Sequence, residues 1–143
     1  MTYREVLRPP WWVYGVAVGL AALFSFTLAA AATVPVALVV FAIIVALSVW
    51  VVSRRRLEIS VDDTGLRVGD ESLARDEIAR ALPLGAPELR VVAGPEADTR
   101  AHLILRNLST KDGVKIDLSR GPTPYWLVSS AHPEELAAAL RDG

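Results

Sequence analysis

The chain has 143 residues, 15 basic against 16 acidic, and no cysteine, which excludes disulfide frameworks and thiolate metal sites. The near balance of charge hides an uneven spread: residues 1–56 carry +4, whereas ten basic against fifteen acidic residues give residues 57–143 a net charge of −5. An acidic C-terminal part excludes a nucleic-acid partner, whose phosphates need a basic footprint.

The first element begins after Arg4 and Arg8. Trp11–Ala32 and Val34–Val52 are uncharged apolar runs placed almost back to back and closed by Arg54, Arg55 and Arg56. At about 1.5 Å rise per residue, each is long enough to cross a hydrocarbon core of roughly 30 Å as a helix. With only Thr33 between them, the two spans predict a tight transmembrane hairpin that returns to its starting side. Both flanks are basic and the turn is not, so the positive-inside rule puts both ends in the cytoplasm. Trp11, Trp12, Tyr14 and Trp50 then fall at the same interface as Arg8, Arg54, Arg55 and Arg56, a zone that suits amphipathic rings. A cleaved signal peptide is the competing reading of the first run. It fits poorly, because the run exceeds a usual h-region, opens on two tryptophans and leads straight into a second span.

Residues 57–143 change period from helical to two. Leu57, Ile59 and Val61 alternate with polar residues, Asp62-Asp63-Thr64-Gly65 supplies a turn, and Leu66 and Val68 follow, a β-hairpin signature. One or two strands are predicted across Ser72–Leu84 after a turn at Gly69–Ser72, and a weak helix within Pro87–Ala97. Ala101–Arg106 and Val114–Ser119 predict a second hairpin around Ser109-Thr110-Lys111-Asp112-Gly113. Pro124–Ser130 is apolar on both faces, which predicts a central or covered strand. Pro133–Arg141 predicts a terminal helix, with Pro133 in the first turn, Glu134 and Glu135 at its positive end and Arg141 at its negative end. Its stripe of Leu136, Ala137 and Leu140 would seal the sheet. The reading divides the chain at residue 56: a hairpin over 1–56, then an independently folding β-rich cytoplasmic domain over 57–143 with about six or seven antiparallel strands.

This order resembles bacterial pleckstrin-homology-like domains, in which a bent seven-stranded sheet is closed by one C-terminal helix and often follows a pair of spans. At finer grain the whole chain resembles a family of small actinobacterial membrane proteins classed only as a domain of unknown function. The resemblance rests on Tyr3-Arg4-Glu5, Pro10-Trp11-Trp12, Gly65–Gly69, Gly94–Asp98, and above all Pro122–Ser130 running into Pro133-Glu134-Glu135-Leu136. Relatives tend to carry a basic residue after the serines, where this chain has Ala131-His132. The resemblance implies an α+β membrane protein and brings no catalytic residue with it.

Chemistry-bearing motifs are scarce. His102 and His132 lack metal-ligand spacing, and His132 reads as a residue at a helix start. Asp62-Asp63 and Asp70-Glu71 read as turn residues before cation ligands. Ser129 and Ser130 lack the glycines of a nucleophile elbow. No cofactor or metal follows from any of these. Trp126 reads first as a core anchor; the sharper alternative places Tyr125 or Trp126 at a groove edge as a partner contact. The expectation is a non-enzymatic, membrane-anchored interaction module whose partners are membrane lipids and another membrane protein or a second copy. Alternatives are a small accessory subunit of a membrane complex, with Gly15, Gly19, Ala22 and Ala29–Ala32 easing helix packing, and a lipid-acting enzyme, which would need convergent polar groups in a pocket.

Overall fold

The computed structural model describes residues 2–105 and 110–142. Arg106 and Ser109, expected at the end of a strand and the start of its turn, lie outside them. The chain divides into two units, Arg8–Arg56 and Met1–Leu7 with Leu57–Gly143.

The first unit is a pair of helices, α1 (Trp11–Ala31) and α2 (Val34–Arg54). Both are long and apolar enough to cross a membrane. Pro35 sits in the first turn of α2, where a missing N–H leaves no helical bond unmade. Their contact is made by small side chains: Ala21, Ser25 and Ala37 are buried while the large apolar residues point away. Thr27 Oγ1 and Ser48 Oγ donate to the carbonyls of Leu23 and Ile44 at 3.0 and 2.7 Å, satisfying two hydroxyls within their own helices. Gly15 and Gly19 lie outside this contact, since a Cβ at either would meet nothing within 4 Å.

Among its described residues the second unit holds eight strands: β1 (Tyr3–Leu7), β2 (Leu57–Asp62), β3 (Gly65–Val68), β4 (Glu71–Ala74), β5 (Ile78–Leu84), β6 (His102–Ile104), β7 (Gly113–Leu118) and β8 (Tyr125–Ser129). It also has two helices, α3 (Ala86–Ala93) and α4 (Pro133–Arg141). The expected single sheet is two four-stranded sheets, ordered β1-β2-β3-β4 and β5-β7-β8-β6. The boundary expected at residue 56 also shifts. β1 precedes the hairpin in sequence yet pairs antiparallel with β2, from Tyr3 opposite Val61 to Leu7 opposite Leu57. The helical pair is therefore an insertion between two adjacent strands of one sheet.

The expected hairpin of Ala101–Arg106 with Val114–Ser119 does not form. β6 instead pairs parallel with β8, and β7 lies between β5 and β8. β8 takes the central place because it is apolar on both faces. Trp126 and Val128 join the main core with Leu7, Ile59, Leu66, Ile116 and Leu136, while Tyr125 and Leu127 lie on the opposite face against Leu89 of α3. Glu88 secures the start of α3 by accepting from the Gly85 N–H at 2.8 Å.

Helix α4 closes the main core through Leu136, Ala137, Ala139 and Leu140, all at most 5% exposed. Arg75 ties down its end: Nη2 donates to the carbonyls of Ala139 and Leu140 at 2.9 and 3.3 Å, and Nη1 to the Asp62 carbonyl at 3.2 Å. A guanidinium there satisfies orphan carbonyls and suits the negative end of the helix. The β2–β3 turn is fixed by Asp62, whose Oδ1 accepts from the N–H groups of Thr64 and Gly65 at 2.9 and 3.2 Å. These bonds, the Thr64 hydroxyl first, hold the Asp62 carboxyl below its ordinary range. Gly65 is required, because at φ 145° a Cβ would stand 2.1 Å from the Leu73 carbonyl oxygen.

Candidate functional site

The residues expected at a membrane interface all belong to the ends of the helical pair. Trp11 and Trp12 open α1, with 83% and 47% of their surface exposed, and Tyr14 is half-buried one turn on. Trp50 lies in the last turns of α2, and the Arg54 guanidinium stacks 4.3 Å from its ring centroid. This cation–π contact orients one cation along the helix end. Arg8, Arg54, Arg55 and Arg56 are exposed, and among the described residues none has a carboxylate partner. The ladder of β1 and β2 ends at Leu7 opposite Leu57, so Arg8 and Arg56 are each one residue beyond a directly paired position.

Tyr125 and Trp126 are not surface contacts. Each is 8% exposed, with Trp126 in the main core and Tyr125 under α3. The Tyr125 hydroxyl accepts from the Asp98 N–H at 2.9 Å, and the Lys115 ammonium lies 4.7 Å from its ring centroid. The His102 ring packs on Trp126 with centroids 4.9 Å apart, and its Nε2 contacts the Glu71 carboxylate, joining the edge strands of the two sheets.

One polar cluster was not legible in the sequence. Glu5 of β1 is 9% exposed, and its carboxylate binds the chain where β8 runs into α4. Oε2 accepts from the Tyr3 hydroxyl at 2.8 Å and from Ser130 Oγ at 2.6 Å; Oε1 accepts from the Ala131 N–H at 2.7 Å. His132 Nδ1 stands 3.8 Å from Oε1, and the His132 N–H donates to Ser130 Oγ at 3.1 Å. Burial first, and then the bond to Glu5, raises the Tyr3 phenol well above its ordinary value. The cluster positions backbone. Alternation of Tyr3, Glu5 and Leu7 was the available signal, obscured by a carboxylate on the inward face.

A cavity of about 350 Å³ beside α3 is lined, among the described residues, by Ala86, Leu89, Arg90, Ala93, Gly94, Leu105 and Lys111. Among the described residues, no group of three or more His, Cys, Asp or Glu could hold a metal.

A family model for a protein of unknown function, DUF3093, matches residues 2–140. The chain belongs to the DUF3093 family. No curated protein and no solved structure gives a match. The match begins one residue before β1 and ends within α4, so the DUF3093 region spans the helical pair as well as both sheets.

Proposed function

We propose that this DUF3093 protein is a non-enzymatic interaction module, anchored in the plasma membrane by α1 and α2 with both chain ends in the cytoplasm. The observation that carries the reading is the outward-facing apolar surface of two 21-residue helices, about 32 Å long each, with no charged residue from Trp11 to Ser53. In water such a surface would be an aggregation liability; in lipid it is the ordinary solvent face.

The pairing of Leu7 with Leu57 supports a common side for both feet, because the chain leaves the sheet and returns to it at adjacent positions. The four arginines at the feet and the uncharged turn at Ala32-Thr33 favour the cytoplasmic side. A role in binding rather than catalysis is supported by the use of the buried polar groups. Glu5, Tyr3 and Ser130 are spent on one another and on backbone. A second reading, an accessory subunit of a membrane complex or a self-associating one, is favoured by Gly15 and Gly19, whose open sides would let another helix approach closely.

Single cysteines test the topology, since the chain has none of its own. An impermeant maleimide applied to intact cells is expected to label Thr33→Cys, and to label Asp63→Cys only after permeabilisation. Labelling of Asp63→Cys in intact cells would overturn the proposed orientation.

A further inference from the structure

Arg8, Arg54, Arg55 and Arg56 form a concentration of positive charge that nothing in the described chain neutralises. The other arginines with defined roles are paired or bonded: Arg4 with Glu58 at 2.7 Å, Arg100 with Asp98 at 3.0 Å, and Arg75 with the α4 carbonyls. The β1–β2 register adds a constraint that sequence spacing alone does not supply. Leu7 faces Leu57, so Arg8 and Arg56 each lie one residue beyond a directly paired position although 48 positions separate them in sequence. Like charges concentrated at the ends of one helical pair repel one another, and a bound anion would relieve that repulsion. Arg54, fixed on Trp50, and Arg55 sit beside Arg56 in sequence at the end of α2.

We propose that these four residues form a binding site for the phosphate of anionic phospholipid headgroups, giving the protein a preference among lipids rather than mere insertion. The proposal rests on the membrane-anchored reading above. The charge calls for an anion, and guanidinium groups bind phosphate oxygens through paired, charge-assisted hydrogen bonds. The source is a lipid rather than free phosphate, because Trp11, Trp12 and Trp50 surround the same ends with rings suited to the headgroup zone. Basic residues next to a span add attraction to an anionic leaflet, worth about fivefold in affinity for each arginine.

The test uses the full chain in detergent, mixed with equal amounts of phosphatidylglycerol and phosphatidylcholine, with retained lipids counted by native mass spectrometry. The parent should retain phosphatidylglycerol preferentially. The triple variant Arg8→Gln/Arg55→Gln/Arg56→Gln should lose at least about tenfold of that preference. The same number of charges removed elsewhere, Arg80→Gln/Arg90→Gln/Arg141→Gln, should leave it unchanged. Equal loss in both triple variants, or none in the first, overturns the site. Displacement of phosphatidylglycerol by inorganic phosphate alone assigns the arginines to a soluble anion and overturns the lipid. Carbonate extraction separates this inference from the anchoring it rests on. A parent chain released by carbonate defeats both, whereas a retained chain without lipid preference defeats only the headgroup site.

Discussion

In the β unit large aliphatic side chains are fully hidden: Ile59, Leu66, Ile116, Leu127 and Leu136 are at most 1% exposed. In the helical pair the order is reversed, with Phe26, Leu23 and Leu20 at 77%, 66% and 63%, while alanines and a serine occupy the contact. The β unit is built for water, where burying large apolar groups drives folding. In the proposed membrane-anchored state the helical pair would face a solvent as apolar as its own side chains, where close approach of small residues holds helices together. Connectivity sharpens the contrast. The β unit is interrupted in sequence by the helical pair, and its β1–β2 ladder joins the residues on either side of the insertion.

The most damaging change to the β unit should be Leu136→Ala with Leu140→Ala. Each removes a buried leucine at about 2–5 kcal/mol, against roughly 5–15 kcal/mol for a whole domain. Thermal melts followed by circular dichroism should show the strand signal lost at physiological temperature while the hairpin helices persist. Concurrent loss of both signals would mean that the two units do not fold separately.

Glu5→Ala should come next. It strands the Ser130 hydroxyl, the Ala131 N–H and the Tyr3 hydroxyl, and a buried unpaired group costs about 1–3 kcal/mol. A loss of about 2–4 kcal/mol in chemical denaturation is expected. A neutral result would show that β1 does not depend on its bond to the start of α4.

Tyr3 gives a smaller effect with a defined pH signature. Its phenol keeps its proton in the folded state above the ordinary value of 10.0. The folded state therefore binds more protons than the unfolded chain above that pH. The stabilisation is complete below pH 10 and declines as pH rises further. Tyr3→Phe should cost about 1 kcal/mol at neutral pH and flatten the alkaline decline. An unchanged slope would assign that decline to other groups.

Arg4→Ala should change stability least. Its ion pair with Glu58 spans the outer face of β1 and β2, with side chains 70% and 51% exposed. Such pairs contribute at most about 1 kcal/mol, so a fall in melting temperature of no more than about 4–8 °C is expected.

Much of the architecture was legible because it rests on local patterns. The uncharged runs specified α1 and α2, and Pro133, Glu134, Glu135 and Arg141 bracketed α4 within its observed limits. The two-faced apolar run at Tyr125–Ser129 announced a covered central strand. Partners were harder, because alternation identifies a strand without naming its neighbour. β6 lies parallel to β8 where a local hairpin with β7 was the simpler reading. β1 was missed because it is five residues long, carries an inward carboxylate, and pairs with residues beyond a helical pair. The residues expected at an interface were readable as a chemical set, whereas the pairing of Leu7 with Leu57, next to Arg8 and Arg56, is non-local.

The insertion itself is tested most directly by excising it. Residues 1–7 joined to residues 57–143 through a two-residue Asn-Gly turn, which suits a tight antiparallel connection, should give a soluble chain. Circular dichroism should show strands with a short helical contribution and one cooperative melt. Residues 57–143 alone should melt at a markedly lower temperature, because β2 loses its neighbour and Ser130 and Ala131 lose Glu5. Equal stability of the two chains, or failure of the joined chain to fold, would contradict a β unit in which β1, separated from β2 by the helical pair in sequence, is an integral strand.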